Sequence, residues 1–189
     1  DSPFMSMTAL RNAAIVRGAF WPALLSEWSP VFPGQRATMF ITYAFLHGGF
    51  MHMLFNMLLV LHLGRETVVR LGQGGFMLAF LVTSAGGAGV YALLATSDAP
   101  MLGASGAVFG LFGTTMFWDY QRRRALGASL EPVWRTVIGL VVMNVVLYVL
   151  VGGMLAWQTH LGGWLAGVLF AWLVTPTLSH RYRGKMPKV

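Results

Sequence analysis

The sequence contains no cysteine and few charged residues: 10% of its 189 residues are charged, and only six residues are acidic. Without cysteine the chain forms no disulfide, thiol nucleophile or cysteine-ligated metal site. Soluble domains carry about 25% charged residues, whereas 56% of this chain is hydrophobic and its mean hydropathy is +0.64. The composition therefore predicts an integral membrane protein folded as one helical bundle.

The few acidic residues lie outside the long apolar segments, in predicted loops or at the ends of predicted spans. They are Asp1, Glu27, Glu66, Asp98, Asp119 and Glu131. A proton-coupled transporter would place carboxylates inside the membrane, and an aspartyl intramembrane protease would need them there for catalysis. A zinc protease would need a motif such as H-E-x-x-H, which the sequence lacks. These classes are disfavoured, and we expect no metal and no organic cofactor.

Five apolar segments are predicted to cross the membrane as helices. They are Phe50–Val69, Phe76–Ala95, Ser105–Tyr120, Trp134–Val151 and Gln158–Thr175. A spanning helix needs ~20 largely apolar residues, and the links between the five segments are short. The expected fold class is therefore all-α, a polytopic helical membrane bundle.

Residues 1–37 are not predicted to span, because they contain several prolines and the charged residues Arg11, Arg17, Glu27 and Arg36. One arginine near the bilayer centre costs ~2.5–3.5 kcal/mol on insertion scales. The tryptophans of this segment suit the membrane interface. We expect an external, membrane-associated loop over 1–37, a transmembrane domain over 38–179 and a basic cytoplasmic tail over 180–189.

Lysine and arginine lie mainly on one side of the predicted bundle. Ten of the 13 basic residues fall on the side of Arg122–Arg124, and only Arg11, Arg17 and Arg36 fall on the other. The positive-inside rule makes the first side cytoplasmic. The net charge of +7 is thus a topology signal, and we expect no nucleic-acid partner.

A serine stands at the start of a glycine-rich apolar helix, in Gly103-Ala104-Ser105-Gly106. Gly106, Gly110 and Gly113 recur at spacings of four and three, so they share one helix face. Such a stripe lets another backbone approach closely. On its own, the pattern fits ordinary helix packing as well as a serine nucleophile.

A second glycine-faced helix carries a histidine. His160, Gly163 and Gly167 lie at i, i+3 and i+7, again on one face. If the two glycine faces pack together, Ser105 and His160 can form a nucleophile with an adjacent general base.

A third cluster lies at the outer end of the first predicted span. His52 and Asn56 are four residues apart and share a helix face. They either hold helices together or stabilise the oxyanion of an acyl-transfer reaction. His47 is expected to maintain loop structure, and His62 and His180 have no predicted chemical role.

These three stretches together resemble the rhomboid family of intramembrane serine proteases. His47 to Asn56 matches the family's H-x-x-x-x-H-x-x-x-N element, Gly103 to Gly106 matches G-x-S-G, and His160 to Gly167 matches H-x-x-G-x-x-x-G. The motifs occur in family order within a resemblance that runs from about Phe40 to Gly167. Each motif alone is common; all three in one helical bundle are specific.

The resemblance implies a serine endopeptidase that cleaves transmembrane segments of other membrane proteins near the outer leaflet. It implies Ser105 as nucleophile, His160 as general base, and His52, Asn56 and backbone N–H groups around Ser105 as the oxyanion hole. Phe109 would pack against the histidine ring. Besides Phe109, the residues expected to act in packing are His47, Gly103, Gly106, Gly110, Gly163 and Gly167.

Two features depart from the family pattern. The Trp-Arg pair that many rhomboids carry before the first histidine is absent, since this region reads Arg36-Ala37-Thr38-Met39. Bacterial members usually have six spans, so we expect a first helix of the six-helix core to be missing ahead of residue 1.

The expected location is a bacterial inner membrane with the site facing outward, and the expected partners are transmembrane substrates and the bilayer. The alternative function is an inactive rhomboid-like binding module.

Overall fold

The computed structural model describes residues 6–182, and for residues 176–182 the backbone alone. Six α-helices make up most of this part of the chain. They are α1 (Met7–Gly18), α2 (Gln35–Thr42), α3 (Phe50–Leu94), α4 (Ser105–Ala125), α5 (Glu131–Leu150) and α6 (Trp157–Tyr182). Two 3-10 helices, Pro22–Leu25 and Tyr43–Phe45, lie on either side of α2. The expected all-helical architecture is confirmed.

Helix α3 is a continuous run of 45 residues that contains one non-helical residue, Gly72, with φ 76° and ψ 177°. Only glycine adopts such a φ without strain. The two halves of α3 fold back on each other and pack together. Their contact is close, since a β-carbon added to Gly64 would touch the ring of Phe76. The sequence predicted a longer link between these helices. A single glycine makes the reversal, so no loop is needed.

The other predicted helix boundaries differ by a few residues. Helix α4 continues to Ala125 through Arg122–Arg124, where basic side chains interact favourably with the helix C-terminus. Helix α5 begins earlier, at Glu131. Helix α6 reaches Tyr182, so the predicted tail 180–189 starts within it, and 183–189 lie outside the described residues.

Among the described residues, two helices are long and apolar enough to cross a membrane by composition: α3 and α5. The 45 residues of α3 with its reversal at Gly72 give two legs of roughly 33 Å each at 1.5 Å per residue. Helix α5 is 20 residues long, or about 30 Å. None of its residues is buried, so α5 lies at the edge of the bundle.

Helices α4 and α6 pack backbone to backbone at the centre of the bundle. A β-carbon on Gly163 would overlap the Gly106 carbonyl oxygen, and one on Gly167 would overlap that of Gly110. Thr114 Oγ1 also donates to the Gly167 carbonyl at 3.1 Å. The glycine stripes predicted from the sequence therefore meet each other directly.

Part of the segment predicted as a loop, residues 1–37, is helical. Helix α1 has 12 residues, or about 18 Å, which is shorter than the ~30 Å hydrocarbon core. Next to it, Phe20 and Met101 exchange two backbone hydrogen bonds of 2.9 Å, and the Phe20 ring is fully buried. These two hydrogen bonds attach the segment to the loop that leads into Ser105.

The side chain of Gln35 links separate parts of this segment through hydrogen bonds. It lies in the region where the family's Trp-Arg pair is absent. Its side chain is 1% exposed, donates to the Val16 carbonyl at 2.7 Å and accepts from the Val31 N–H at 2.7 Å. Arg11 of α1 also donates to the Gly48 carbonyl at 2.9 Å. A buried amide and an arginine therefore hold the segment in place.

Candidate active site

Ser105 is the first residue of α4 and is half-buried. The chain reaches it through Gly103, whose φ of 125° favours glycine. The N–H of Gly103 donates to the Tyr43 carbonyl at 3.0 Å, and Tyr43 Oη donates to the Ser84 carbonyl at 2.9 Å. The backbone just before the serine is therefore fixed by a fully buried tyrosine. The sequence analysis did not identify this role of Tyr43.

The N–H groups of the first turn of α4 point toward the side of Ser105. In any α-helix the first four N–H groups lack an intrahelical partner, and the N-terminus carries a partial positive charge. In α4 the helical hydrogen bonds from N–H(i) to C=O(i−4) begin with the Val108 N–H, which donates to the Ala104 carbonyl at 2.9 Å. The serine thus lies among donors suited to a developing negative charge.

His160 lies in the first turn of α6 and is 5% exposed. Its ring stacks on Phe109 with centroids 4.2 Å apart and an interplanar angle of 6°. Phe109 is four residues after Ser105, and residues at i and i+4 are neighbours on a helix surface. The imidazole is therefore held beside the turn of α4 that begins with the serine.

His52 and Asn56 lie on the first turns of α3. His52 is close to Gly103, where an added β-carbon would lie 2.7 Å from His52 Cε1. Asn56 is 6% exposed, and its Nδ2 donates to the His52 carbonyl at 2.9 Å. The structure thus brings His52 next to the loop before Ser105. One amide hydrogen of Asn56 is used within its own helix, which leaves the other available.

His47 lies in the turn before α3 and contacts both His52 and the loop that precedes Ser105. Its ring meets that of His52 edge to face, with centroids 5.2 Å apart. Its Nε2 accepts from the Ala104 N–H at 3.4 Å. Burial, and to a lesser extent the charge of His52, lowers the pKa of His47. A neutral ring is the form that accepts this hydrogen bond.

Asn144 of α5 was not identified from the sequence as a site residue. Its Oδ1 lies 2.5 Å from His160 Nδ1, and its Nδ2 donates to the Leu140 carbonyl at 2.9 Å. The available signal was a single amide within the apolar run Val137–Val149. Polar groups in such a position usually have a function.

A cavity of about 480 Å³ separates α5 from α4 and α6 beside this histidine. Its wall is almost entirely apolar, with Trp157, Trp164 and Tyr148 as its largest side chains. Phe109, Asn144 and His160 line the same space. An extended apolar segment could therefore reach the imidazole from the side of α5.

His62 and His180 have no predicted chemical role. His62 is exposed on α3, and the side chain of His180 lies outside the described residues. Within the part of the chain that the structure describes, no group of three or more His, Asp or Glu side chains comes together as a metal site.

Comparison with known proteins decides the family. The model of the Rhomboid domain matches residues 34–177, which is most of the chain. This chain belongs to the rhomboid family. Family membership makes it an integral membrane protein and points to an intramembrane protease, and the resemblance seen in the three motifs is confirmed.

Relatives of this rhomboid occur in bacteria and plants. YdcA of Bacillus subtilis is 29% identical over 143 residues, covering 75% of this chain and 69% of YdcA. Rhomboid-like protein 11, chloroplastic, of Arabidopsis thaliana is 30% identical over 72% of this chain and 52% of its own length. Rhomboid protease GluP of Bacillus subtilis is 27% identical over 86% of this chain but only 28% of GluP. These three relatives are bacterial or chloroplastic, and this chain spans about half or less of the length of two of them.

Proposed function

We propose that this rhomboid is a serine endopeptidase that cleaves transmembrane segments of other membrane proteins with a Ser105–His160 dyad. The observation that carries the proposal is the stacking of His160 on Phe109, one helical turn from Ser105. A nucleophile is activated when a general base lies within hydrogen-bond reach and is itself oriented. The close packing of α4 on α6 supports this pairing, because Gly106, next to Ser105, meets Gly163, three residues after His160.

In the proposed reaction, Ser105 Oγ attacks the scissile carbonyl carbon while His160 accepts the hydroxyl proton. The C–O bond forms, and the former carbonyl oxygen becomes an oxyanion. Collapse of this intermediate breaks the C–N bond, and His160 gives its proton to the leaving amine. Water then hydrolyses the acyl-enzyme with the same base. These steps call for neither a metal nor an organic cofactor.

Donors for the oxyanion are proposed to come from three sources: His52, the free amide hydrogen of Asn56, and the first N–H groups of α4. His52 is supported by its contact with Gly103, two residues before the nucleophile. The α4 N–H groups are supported by the helix beginning at Ser105. Removing one such donor typically costs about 10²–10³-fold in kcat.

The proposed topology has five spans: the two legs of α3, then α4, α5 and α6. Helix α4 has 21 residues, about 32 Å, which carries the chain from Ser105 to the arginines at its other end. Those arginines are proposed to lie on the cytoplasmic side, so Ser105 lies near the outer leaflet. A bacterial inner membrane is the proposed location, and residues 1–37 are the proposed external segment.

The substrate is proposed to be a membrane helix that unwinds near its outer end. A helical backbone directs its carbonyls into its own hydrogen bonds, so a scissile bond must first leave the helix. Glycine is about 0.8–1.0 kcal/mol less favourable than alanine in a helix. Spans with glycine near the outer surface are therefore the preferred substrate class.

Reconstitution in liposomes with a glycine-containing transmembrane peptide tests the proposal. The parent protein should cleave the peptide and react with a fluorophosphonate, whereas Ser105→Ala should do neither. Ser97→Ala is the matched control, because Ser97 is an exposed serine in the loop that leads to α4. It should behave like the parent. Cleavage by Ser105→Ala would refute the nucleophile, and a parent that binds the peptide without cleavage or labelling would favour the binding-module alternative.

A further inference from the structure

Asn144 is an exception to the composition of its helix. Between Val137 and Val149, α5 carries only apolar residues apart from Asn144 and Tyr148. Helix α5 has no buried residue, so this amide is not part of the buried core. A polar side chain within a membrane helix is costly unless it has a partner. Its partner here is the imidazole of His160.

The hydrogen bonds of Asn144 determine which end of its amide faces the histidine. The Leu140 carbonyl, 2.9 Å from the amide, can only accept a hydrogen bond. The NH₂ end of Asn144 must therefore face Leu140, and the Oδ1 end faces His160 Nδ1 at 2.5 Å. Because Oδ1 is only an acceptor, Nδ1 must be the donor. The second ring nitrogen, Nε2, then carries the lone pair in the neutral imidazole.

We propose that Asn144 is a positioning residue that holds His160 in the Nδ1–H tautomer, with Nε2 left free to accept a proton. This inference rests on the proposed protease function for its purpose, although not for its geometry. In that function, Nε2 takes the Ser105 hydroxyl proton and later delivers it to the leaving amine. Nδ1 keeps its own proton throughout, donated to Asn144 Oδ1.

Two contacts then constrain the ring in complementary ways. Phe109 covers one flat face, with centroids 4.2 Å apart, and so sets the plane of the imidazole. Asn144 holds one edge, and so sets the rotation within that plane. When the ring becomes an imidazolium, its hydrogen bond to the amide oxygen becomes charge-assisted. A neutral amide provides this stabilisation without placing a second charge in the membrane.

The tautomer can be measured without any substrate. We would prepare the full chain with ¹⁵N-labelled histidine in detergent micelles and assign the His160 signals by their loss in His160→Gln. The parent should show a directly bonded hydrogen on Nδ1 and a lone pair on Nε2. In Asn144→Leu, which has a similar size and suits an apolar helix, a substantial fraction should convert to the Nε2–H form. A parent ring with its hydrogen on Nε2, or an unchanged spectrum in Asn144→Leu, would overturn the proposal.

Cleavage kinetics provide the second readout. Because a general base contributes about 10²–10⁴-fold, losing control of its tautomer should lower kcat by roughly 10- to 100-fold in Asn144→Leu, with KM changed little. Asn144→Asp keeps an acceptor for Nδ1 and should preserve the Nδ1–H tautomer. Thr136→Val removes a polar group on the same helix that is exposed and does not line the cavity beside His160, so it should retain the parent kcat.

The two readouts separate the inference from the function on which it rests. A parent that shows the Nδ1–H tautomer but cleaves no peptide would refute the protease and leave the geometric assignment of Asn144 in place. An active parent whose Asn144→Leu variant keeps both kcat and tautomer would refute Asn144 and leave the protease in place. A fall in melting temperature with an unchanged tautomer would make Asn144 purely structural, which also contradicts the inference.

Discussion

The ring of His160 lies parallel to that of Phe109, 4.2 Å away between centroids. This contact joins α6 to α4 at the point where the helix of Ser105 completes its first turn. An aromatic ring cannot exchange protons, so its contribution is to restrict the imidazole. That role can be separated from folding by substitutions that keep or remove the ring.

Phe109→Tyr should keep most of the activity, whereas Phe109→Leu should lose part of it. Ring stacking is worth about 0.5–1.5 kcal/mol beyond buried area, which corresponds to about 2- to 12-fold in kcat if the stack acts fully in the transition state. Steady-state cleavage of a transmembrane peptide measures the effect. Phe112→Leu, on the same helix and half-buried, is the control for general packing. Equal losses in Phe109→Leu and Phe112→Leu would contradict a specific role for the stack.

Gly163→Val should prevent stable assembly of the bundle. A β-carbon at this position overlaps the Gly106 carbonyl, and neither backbone can move without separating α4 from α6. Overpacking usually costs about 1–3 kcal/mol, and backbone overlap should exceed that range. Gly139→Val is the matched control, since a β-carbon on Gly139 meets nothing within 4 Å. Thermal unfolding in detergent should show a large fall in melting temperature only for Gly163→Val; equal melting curves would refute the close contact.

His52→Ala and Asn56→Ala should lower kcat by up to ~10²–10³-fold, as expected for the loss of an oxyanion donor. Their melting temperatures should change little. His62→Ala is the control, because His62 is exposed on the same helix and should leave kcat unchanged. If Asn56→Ala instead melts early while its folded fraction turns over normally, its bond to the His52 carbonyl is structural and its catalytic role is wrong.

Acid should weaken the attachment of the loop that precedes Ser105. Burial and the neighbouring His52 lower the pKa of His47, so the unfolded chain takes up this proton at higher pH than the folded chain. The contribution of neutral His47 to stability is therefore complete above about pH 6.5 and declines as the pH falls below that value. Protonation also removes the acceptor for the Ala104 N–H.

His47→Gln provides the test, because glutamine keeps an acceptor and does not titrate. The melting temperature of the parent should fall more steeply than that of the variant between pH 7.5 and pH 5 (roughly the range of histidine titration). All other histidines are common to both proteins, so the difference between the two curves reports on His47. Parallel curves would contradict the assignment.

The sequence alone determined the membrane class, the helical architecture and the family. Low charge, long apolar segments and three spaced motifs are local properties, since each depends on residue type and helical period within one segment. The same holds for the glycine faces of α4 and α6, whose spacings of three and four residues define a surface that another backbone can approach closely.

The tertiary structure decided how these segments meet. Phe20 pairs with Met101, 81 positions along the chain, and buried Gln35 joins Val16 to Val31; no local pattern indicates either contact. The partner of His160 at Nδ1 was equally hidden, because Asn144 lies on a separate helix whose period predicts only an apolar span. Local composition specifies which faces are buried, but a hydrogen bond between helices depends on their rotation and depth, which packing of the whole bundle sets.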